Sequence, residues 1–146
     1  MRGGNEVAVF VTRRQRSEIL VCHRSGPEGY WHTVAGEREA GETSPEGALR
    51  ELREETGLVA ELAEPTTSLT YSLAEETAGR RALYSPELAE VQVDCFLVDA
   101  SDTWEPLLDD EHDDYRWCSP DDAFALLHWD DTSAALRRLL AEADAS

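Results

Sequence analysis

The residues whose types and spacing could do chemistry lie between Thr43 and Gly57. If this stretch is a helix, Glu51, Glu54 and Glu55 fall within an arc of roughly 100°, with Glu51 and Glu55 one turn apart. Like charges at that spacing repel, and acids near a helix C-terminus also oppose the macrodipole. Local stability alone would not choose such a stripe. A solvated acidic face is the plain alternative in a chain with 31 acidic residues. Arg50 softens the repulsion if it pairs with Glu54 or Glu46 four residues away, and a hard cation would remove it. Magnesium takes carboxylate oxygens together with waters and substrate phosphates, so an acidic stripe beside an open loop suits a metal that bridges protein and pyrophosphate.

Local signals support the helix. Thr43 and Glu46 form a capping box, and Ser44 before Pro45 offers a second start, with serine as cap and proline at the first helical position. Ala48, Leu49 and Leu52 are helically spaced, and Gly57 is placed to end the helix in the left-handed conformation. Before it, Val7 to Val11 and Ile19 to Cys22, running on to His23 and Arg24, read as two strands joined by a turn. Tyr30, Trp31, Thr33 and Val34 read as a short strand entering Gly36. After it, Leu58 to Leu62, Leu69 to Leu73 and Val91 to Val98 read as strands, and Ala74 to Glu90 as a long loop. Tyr115 to Cys118 reads as a last short strand. Pro120 to Leu127 and Thr132 to Ala143 read as helices, the latter with Leu136, Leu139, Leu140 and Ala143 on one face. Interleaved strands and helices in 146 residues predict one α/β domain spanning residues 1–146.

A formal charge of −18 argues against a nucleic-acid polymer as ligand. It also means that a small phosphorylated substrate needs local cations or a bound metal. No stretch approaches the ~20 apolar residues of a membrane span and the N-terminus lacks a signal-peptide plan, so a cytoplasmic protein with no membrane partner is expected. Cys22, Cys95 and Cys118 are widely spaced among apolar neighbours, which predicts buried thiols rather than a zinc site or a disulfide framework.

Gly36, Glu42, Arg50, Glu51, Leu52, Glu54, Glu55, Gly57 and Leu58 stand at the spacing of a complete Nudix box, and the chain resembles the Nudix hydrolases. A chance match of all these positions is on the order of one in ten million for a chain of this length, which disposes of the plain acidic face. The resemblance implies a mixed sheet between helices and a divalent cation, magnesium with manganese as substitute. It implies Glu51 and Glu55 as principal ligands with Glu54 nearby, Arg50 orienting an acid of the box, and Gly36 allowing close approach of metal or phosphate. An acid beyond the box, before a strand carrying tryptophan, often joins the set, which points to Glu111 in the run Glu111 to Trp117. The implied reaction is attack of a metal-activated water on phosphorus of a pyrophosphate, with Glu51, Glu54 or Glu111 as base. His112, His23, His32 and His128 read as ordinary histidines in that scheme.

Outside the box, Tyr30 to Gly36, Glu111 to Trp117 and the region of His128 and Trp129 resemble dihydroneopterin triphosphate diphosphatases and MutT-like enzymes of that family. This implies a nucleoside triphosphate or pterin triphosphate as substrate, giving monophosphate and pyrophosphate. Arg24 is implied as a phosphate contact, and Trp31, Ala35 and His128 as part of the substrate site. Ala35 departs from the threonine that can precede the box glycine. Arg80, Arg81 and Tyr84 in the long loop could close on a ring. Dinucleoside polyphosphates and ADP-ribose rank lower, and a ligand-sensing module without turnover lower still, because every acid of the box is intact.

Overall fold

The computed structural model describes residues 2–145. Among these, seven strands form one mixed sheet: β1 (Asn5–Arg13), β2 (Glu18–Arg24), β3 (Trp31–His32), β4 (Val34–Glu37), β5 (Ala63–Ser72), β6 (Glu90–Asp99) and β7 (His112–Cys118). The helices are α1 (Ser44–Thr56), the short α2 (Ala78–Arg81), α3 (Pro120–Leu126) and α4 (Asp130–Ala145). The longest path through the sheet runs β3-β2-β1-β6-β5, with β4 also paired to β1 and β7 to β2. β1 and β6 are parallel, whereas β1 meets β2 and β4 in antiparallel sense.

The apolar run of β1 is continuous because both faces of the strand are covered. Val7, Val9 and Val11 pack with Leu52 and Ala48 of α1, whereas Ala8 and Phe10 pack with Leu136 and Leu139 of α4 and Ala123 of α3. The expected α/β layering, a mixed sheet between helices, is therefore the observed one. The three cysteines are free and buried. Burial pushes the Cys22 and Cys95 thiols up to about 12, which makes them unreactive. Among the described residues no helix is long and apolar enough to cross a membrane.

Three segments differ from the sequence reading. Residues 57–62 are irregular rather than a strand, and β5 begins only at Ala63. Leu58 is buried directly behind the helix end while Val59 is 80 % exposed, so the apolar run covers the core without lying beside a partner strand. The stretch from Ala74 to Glu90 is more ordered than a loop: it holds α2, capped by Thr77, and Tyr84, which is 1 % exposed in the core. β7 starts at His112, three residues earlier than expected, because His112 pairs with Arg24 at the end of β2.

Candidate active site

Of the two possible starts for α1, the capping box is the one formed. The Glu46 backbone N–H donates to the Thr43 hydroxyl and the Thr43 N–H donates to the Glu46 carboxylate. Ser44 instead donates its hydroxyl to Asp94 of β6, tying the helix start to the sheet. At the other end Gly57 takes φ +79° and donates to the Arg53 carbonyl. Both ends being fixed, the acidic stripe is held against β4.

Arg50 is the hub of the stripe. Its guanidinium donates to Glu42 at 2.7 and 3.0 Å, to Glu51 at 2.9 Å, to Glu54 at 3.1 Å and to the Glu37 carbonyl at 2.9 Å. Glu42 and Glu51 raise the Arg50 pKa above its already high value, and Arg50 in turn holds Glu42 below the usual carboxylate range. Glu46, the other partner considered for Arg50, is occupied by the cap.

Glu55 is the buried member of the set, 2 % exposed. Its Oε1 lies 3.5 Å from the Ala35 N–H and 3.6 Å from His112 Nε2, while its Oε2 is buried without a hydrogen-bond partner. Burial, and after it the neighbouring Glu51, pushes the Glu55 carboxyl up to about 10; the Ala35 N–H opposes the shift and Asp109 adds to it. Gly36 faces Glu51 so closely that a Cβ there would stand 2.3 Å from its carboxylate. Glu111 sits at the rim, its side chain 58 % exposed and 3.5 Å from Arg24.

Among the described residues no three acidic, histidine or cysteine side chains are already gathered at metal-ligand spacing. The donor set nonetheless fits a hard divalent cation: adjacent carboxylates, a buried carboxylate oxygen with no partner, and a glycine cradle against Glu51 are what such an ion would complete.

Two clefts meet here. The acidic one, about 470 Å³, is lined by Glu51, Glu54, Glu55, Asp109, Glu111 and Arg50 among others. The second, about 500 Å³, has Tyr30, His32, Trp129, Tyr71 and Arg80 in its wall. Arg2, Arg24, Ala35 and Gly36 line both and form the seam. In the second cleft the Tyr30 and Trp129 rings meet edge to face at 4.7 Å, His32 lies 5.1 Å from Trp129, and Arg80 stands 5.4 Å over the Trp129 ring. Burial, reinforced by Arg24 and other nearby cations, lowers the His32 pKa to about 3, so its ring is neutral.

The sequence-derived set is thus gathered only in part. Glu51, Glu54, Glu55, Arg50, Glu111, Arg24, Gly36 and Ala35 come together. Trp31 does not: it lines neither cleft, packing edge to face on His23 at 5.0 Å with Arg116 4.6 Å from its ring. Successive strand residues point to opposite faces, and in β3 the cleft side belongs to His32. His128 is exposed, 5.2 Å from the Tyr30 ring, and does not line the cleft. His112 is not a surface residue but 7 % exposed, with Nδ1 2.8 Å from Asp109. Of the loop residues, Arg80 reaches the cleft, Arg81 binds the carbonyls of Ser85, Pro86 and Leu88, and the Tyr84 hydroxyl donates to Glu6. Nothing in the sequence singles out Arg2 or Asp109, and the reading of His112 as an ordinary surface histidine misses its burial.

A family model, the NUDIX domain, matches residues 4–143. Similar solved structures include the Escherichia coli dihydroneopterin triphosphate pyrophosphohydrolase, with TM-score 0.82, 21 % identity and coverage of 95 % of this chain and 96 % of that one. A Caenorhabditis elegans Ap4A hydrolase binary complex follows with TM-score 0.79, 21 % identity and coverage of 97 % and 98 %. At these identities the likeness is one of fold. A curated relative, the octanoyltransferase of Myxococcus xanthus, is 32 % identical over 113 residues, or 76 % of this chain and 29 % of that protein. The chain therefore spans less than a third of that relative's length, and the match carries nothing about acyl transfer.

Proposed function

This chain belongs to the Nudix hydrolases, enzymes of pyrophosphate bonds, and from that premise we propose that it is a magnesium-dependent hydrolase of a nucleoside or pterin triphosphate, releasing monophosphate and pyrophosphate. The observation that carries this reading is the pair of clefts joined at Ala35 and Gly36: an aromatic one of a size to hold a flat ring, and an acidic one for the phosphates.

Glu51 and Glu55 would hold the cation, with Glu54 and Glu111 beside them. When bound, magnesium, or manganese in its place, supplies charge neutralisation on the phosphate oxygens and a lowered pKa for water. The chain's own residues do the rest. Arg50 keeps Glu51 and Glu54 in position. Arg24 binds phosphate at the seam. Glu111 is taken as the proton acceptor because Glu51 and Glu54 accept hydrogen bonds from Arg50 at 2.9 and 3.1 Å, whereas the Glu111 carboxylate on the rim has the looser 3.5 Å contact with Arg24. As water oxygen bonds to phosphorus, its proton passes to that carboxylate and the bridging oxygen leaves with the pyrophosphate.

Glu111→Gln is accordingly expected to lower kcat about a hundredfold with an unchanged melting temperature. A change below about threefold in steady-state kinetics would make Glu111 an ordinary rim acid.

The substrate class is tested by a magnesium-dependent screen over dihydroneopterin triphosphate, the dNTPs, oxidised dGTP, ADP-ribose and dinucleoside polyphosphates. Triphosphates of a purine-like or pterin ring are expected to have the highest kcat/KM. If ADP-ribose or a dinucleoside polyphosphate exceeds every triphosphate by about tenfold, the triphosphate reading is wrong.

A further inference from the structure

We propose that Arg2 is a polyphosphate-binding residue that works with Arg24 across the seam of the two clefts. The inference rests on the triphosphate reading above and deepens it.

A triphosphate whose ring lies in one cleft and whose terminal phosphates lie in the other must cross the seam, and acids flank the way on both sides. Glu6, Glu75, Glu76 and Asp131 line the aromatic cleft, and Glu51, Glu54 and Glu55 the acidic one. In a chain of net charge −18 such a passage needs cations of its own. Every arginine in the walls has a partner, Arg2 in Glu6 at 3.2 Å and Arg24 in Glu111 at 3.5 Å included, so it is position that sets these two apart. Arg50 is spread over Glu42, Glu51 and Glu54, Arg80 pairs with Glu76 at 3.0 Å beside Trp129, and Arg38 reaches toward Ser44 at 3.5 Å. Arg2 and Arg24 are, among the described residues, the two cations that line both clefts.

Arg2 is held there by the fold rather than by a free terminal arm. Gly4 turns the chain at φ +84°, in a space where a Cβ would stand 2.7 Å from Leu88 Cδ2. The Gly3 N–H donates to Glu37 Oε1 at 3.0 Å, and the Arg2 N–H donates to the Leu83 carbonyl at 2.8 Å. The guanidinium then rests 5.8 Å from the Tyr84 ring centre with Nη1 3.2 Å from Glu6 Oε2, and Tyr84 in turn donates to the same carboxylate oxygen at 2.7 Å. Glu6 and the Tyr84 hydroxyl thus take up part of a five-donor fork, leaving other N–H groups for phosphate oxygens. The segment after β5 thus carries, in buried Tyr84, the ring beside which the Arg2 guanidinium rests.

The test uses magnesium tripolyphosphate, a ligand with phosphates and no ring, in calorimetric titrations of the full chain, beside steady-state kinetics on the preferred triphosphate. Arg2→Gln is expected to weaken tripolyphosphate binding and raise KM about tenfold, with kcat within about twofold. Arg2→Lys, which keeps the charge and loses the fork, should fall between it and wild type. Arg138→Gln removes an equal charge from the exposed face of α4 and should match wild type. Binding in Arg2→Gln within about twofold of wild type, or an equal loss in Arg138→Gln, overturns the proposal, as does a wild-type chain that does not bind tripolyphosphate. If the chain binds tripolyphosphate through Arg2 but hydrolyses no triphosphate, the substrate reading falls and the Arg2 site stands.

Discussion

Gly36→Ala is expected to give a folded protein that has lost nearly all turnover. The added Cβ would stand 2.3 Å from Glu51 Cδ and Oε1 and 2.6 Å from Oε2, closer than any real contact. What stands in the way is the far end of a flexible side chain, so β4 can keep its pairing with β1 while the carboxylate swings out. Glu51 then loses its place and its 2.9 Å hydrogen bond from Arg50, and with them its part in holding the cation. A fall in kcat/KM of about a hundredfold or more is expected from displacing one principal ligand, with the melting temperature in chelator lowered by no more than about 4 °C. Near-normal kcat/KM would remove Glu51 from the site. A melting temperature lowered by more than about 10 °C would make Gly36 a glycine of the fold rather than of the chemistry.

That contrast reflects which parts of the site were legible in the sequence. The stripe of α1 follows from helical geometry alone, since residues three and four apart share a face wherever the helix goes, and Thr43, Glu46 and Gly57 mark its ends locally. β1, β2 and β6 were legible because both faces of their central residues are buried and the apolar run is unbroken. What failed depends on parity and register. In the two-residue β3 nothing local says whether Trp31 or His32 faces the cleft, and Trp31 is the more apolar choice for either side. His112 lies among acids, a composition that suggests solvent, yet its pairing opposite Arg24 turns it inward against Asp109 and Glu55. The strand expected over Leu58 to Leu62 failed for a related reason: apolar residues marked burial correctly at Leu58, but strand formation needs a neighbour that only the tertiary fold supplies.

Of the four seam residues, Arg24, Ala35 and Gly36 were legible in the sequence and Arg2 was not. Arg2 is brought to the seam by a glycine turn and two hydrogen bonds donated by backbone N–H groups, one to the Glu37 carboxylate and one to the Leu83 carbonyl, and Tyr84 comes from a segment with no clear period. Contacts between residues some eighty positions apart, such as Glu6 with Tyr84, leave no trace in local pattern. The local box therefore pointed to the chemistry and Arg24 to the phosphates, whereas the placement of Arg2 beside Arg24 emerged only from the way β1, β4 and the segment after β5 converge.

Glu55→Gln should separate activity from stability, and in opposite directions. With saturating magnesium its turnover is expected to fall more than about a hundredfold, because an amide cannot replace a carboxylate as ligand to a hard cation. Without metal the same change should stabilise the protein. The groups facing Glu55 are the Glu51 carboxylate, Asp109, His112 and the Ala35 N–H, and burial with Glu51 raises its carboxyl from 4.5 to about 10. A folded-state pKa above the unfolded one means that the folded chain binds the extra proton. The associated stability is complete below about pH 4.5 and is lost as pH rises toward 10, by at most about 1.4 kcal/mol per pH unit. Glutamine cannot ionise and escapes that loss. In chelator, the melting temperature of Glu55→Gln should exceed that of wild type by on the order of 5 °C at pH 8, with the gap narrowing toward pH 5. Magnesium should raise the wild-type value and leave the variant nearly unchanged. A gap that widens as pH falls would mean that ionised Glu55 is favoured by the fold, and wild-type turnover in the variant would remove Glu55 from the metal site.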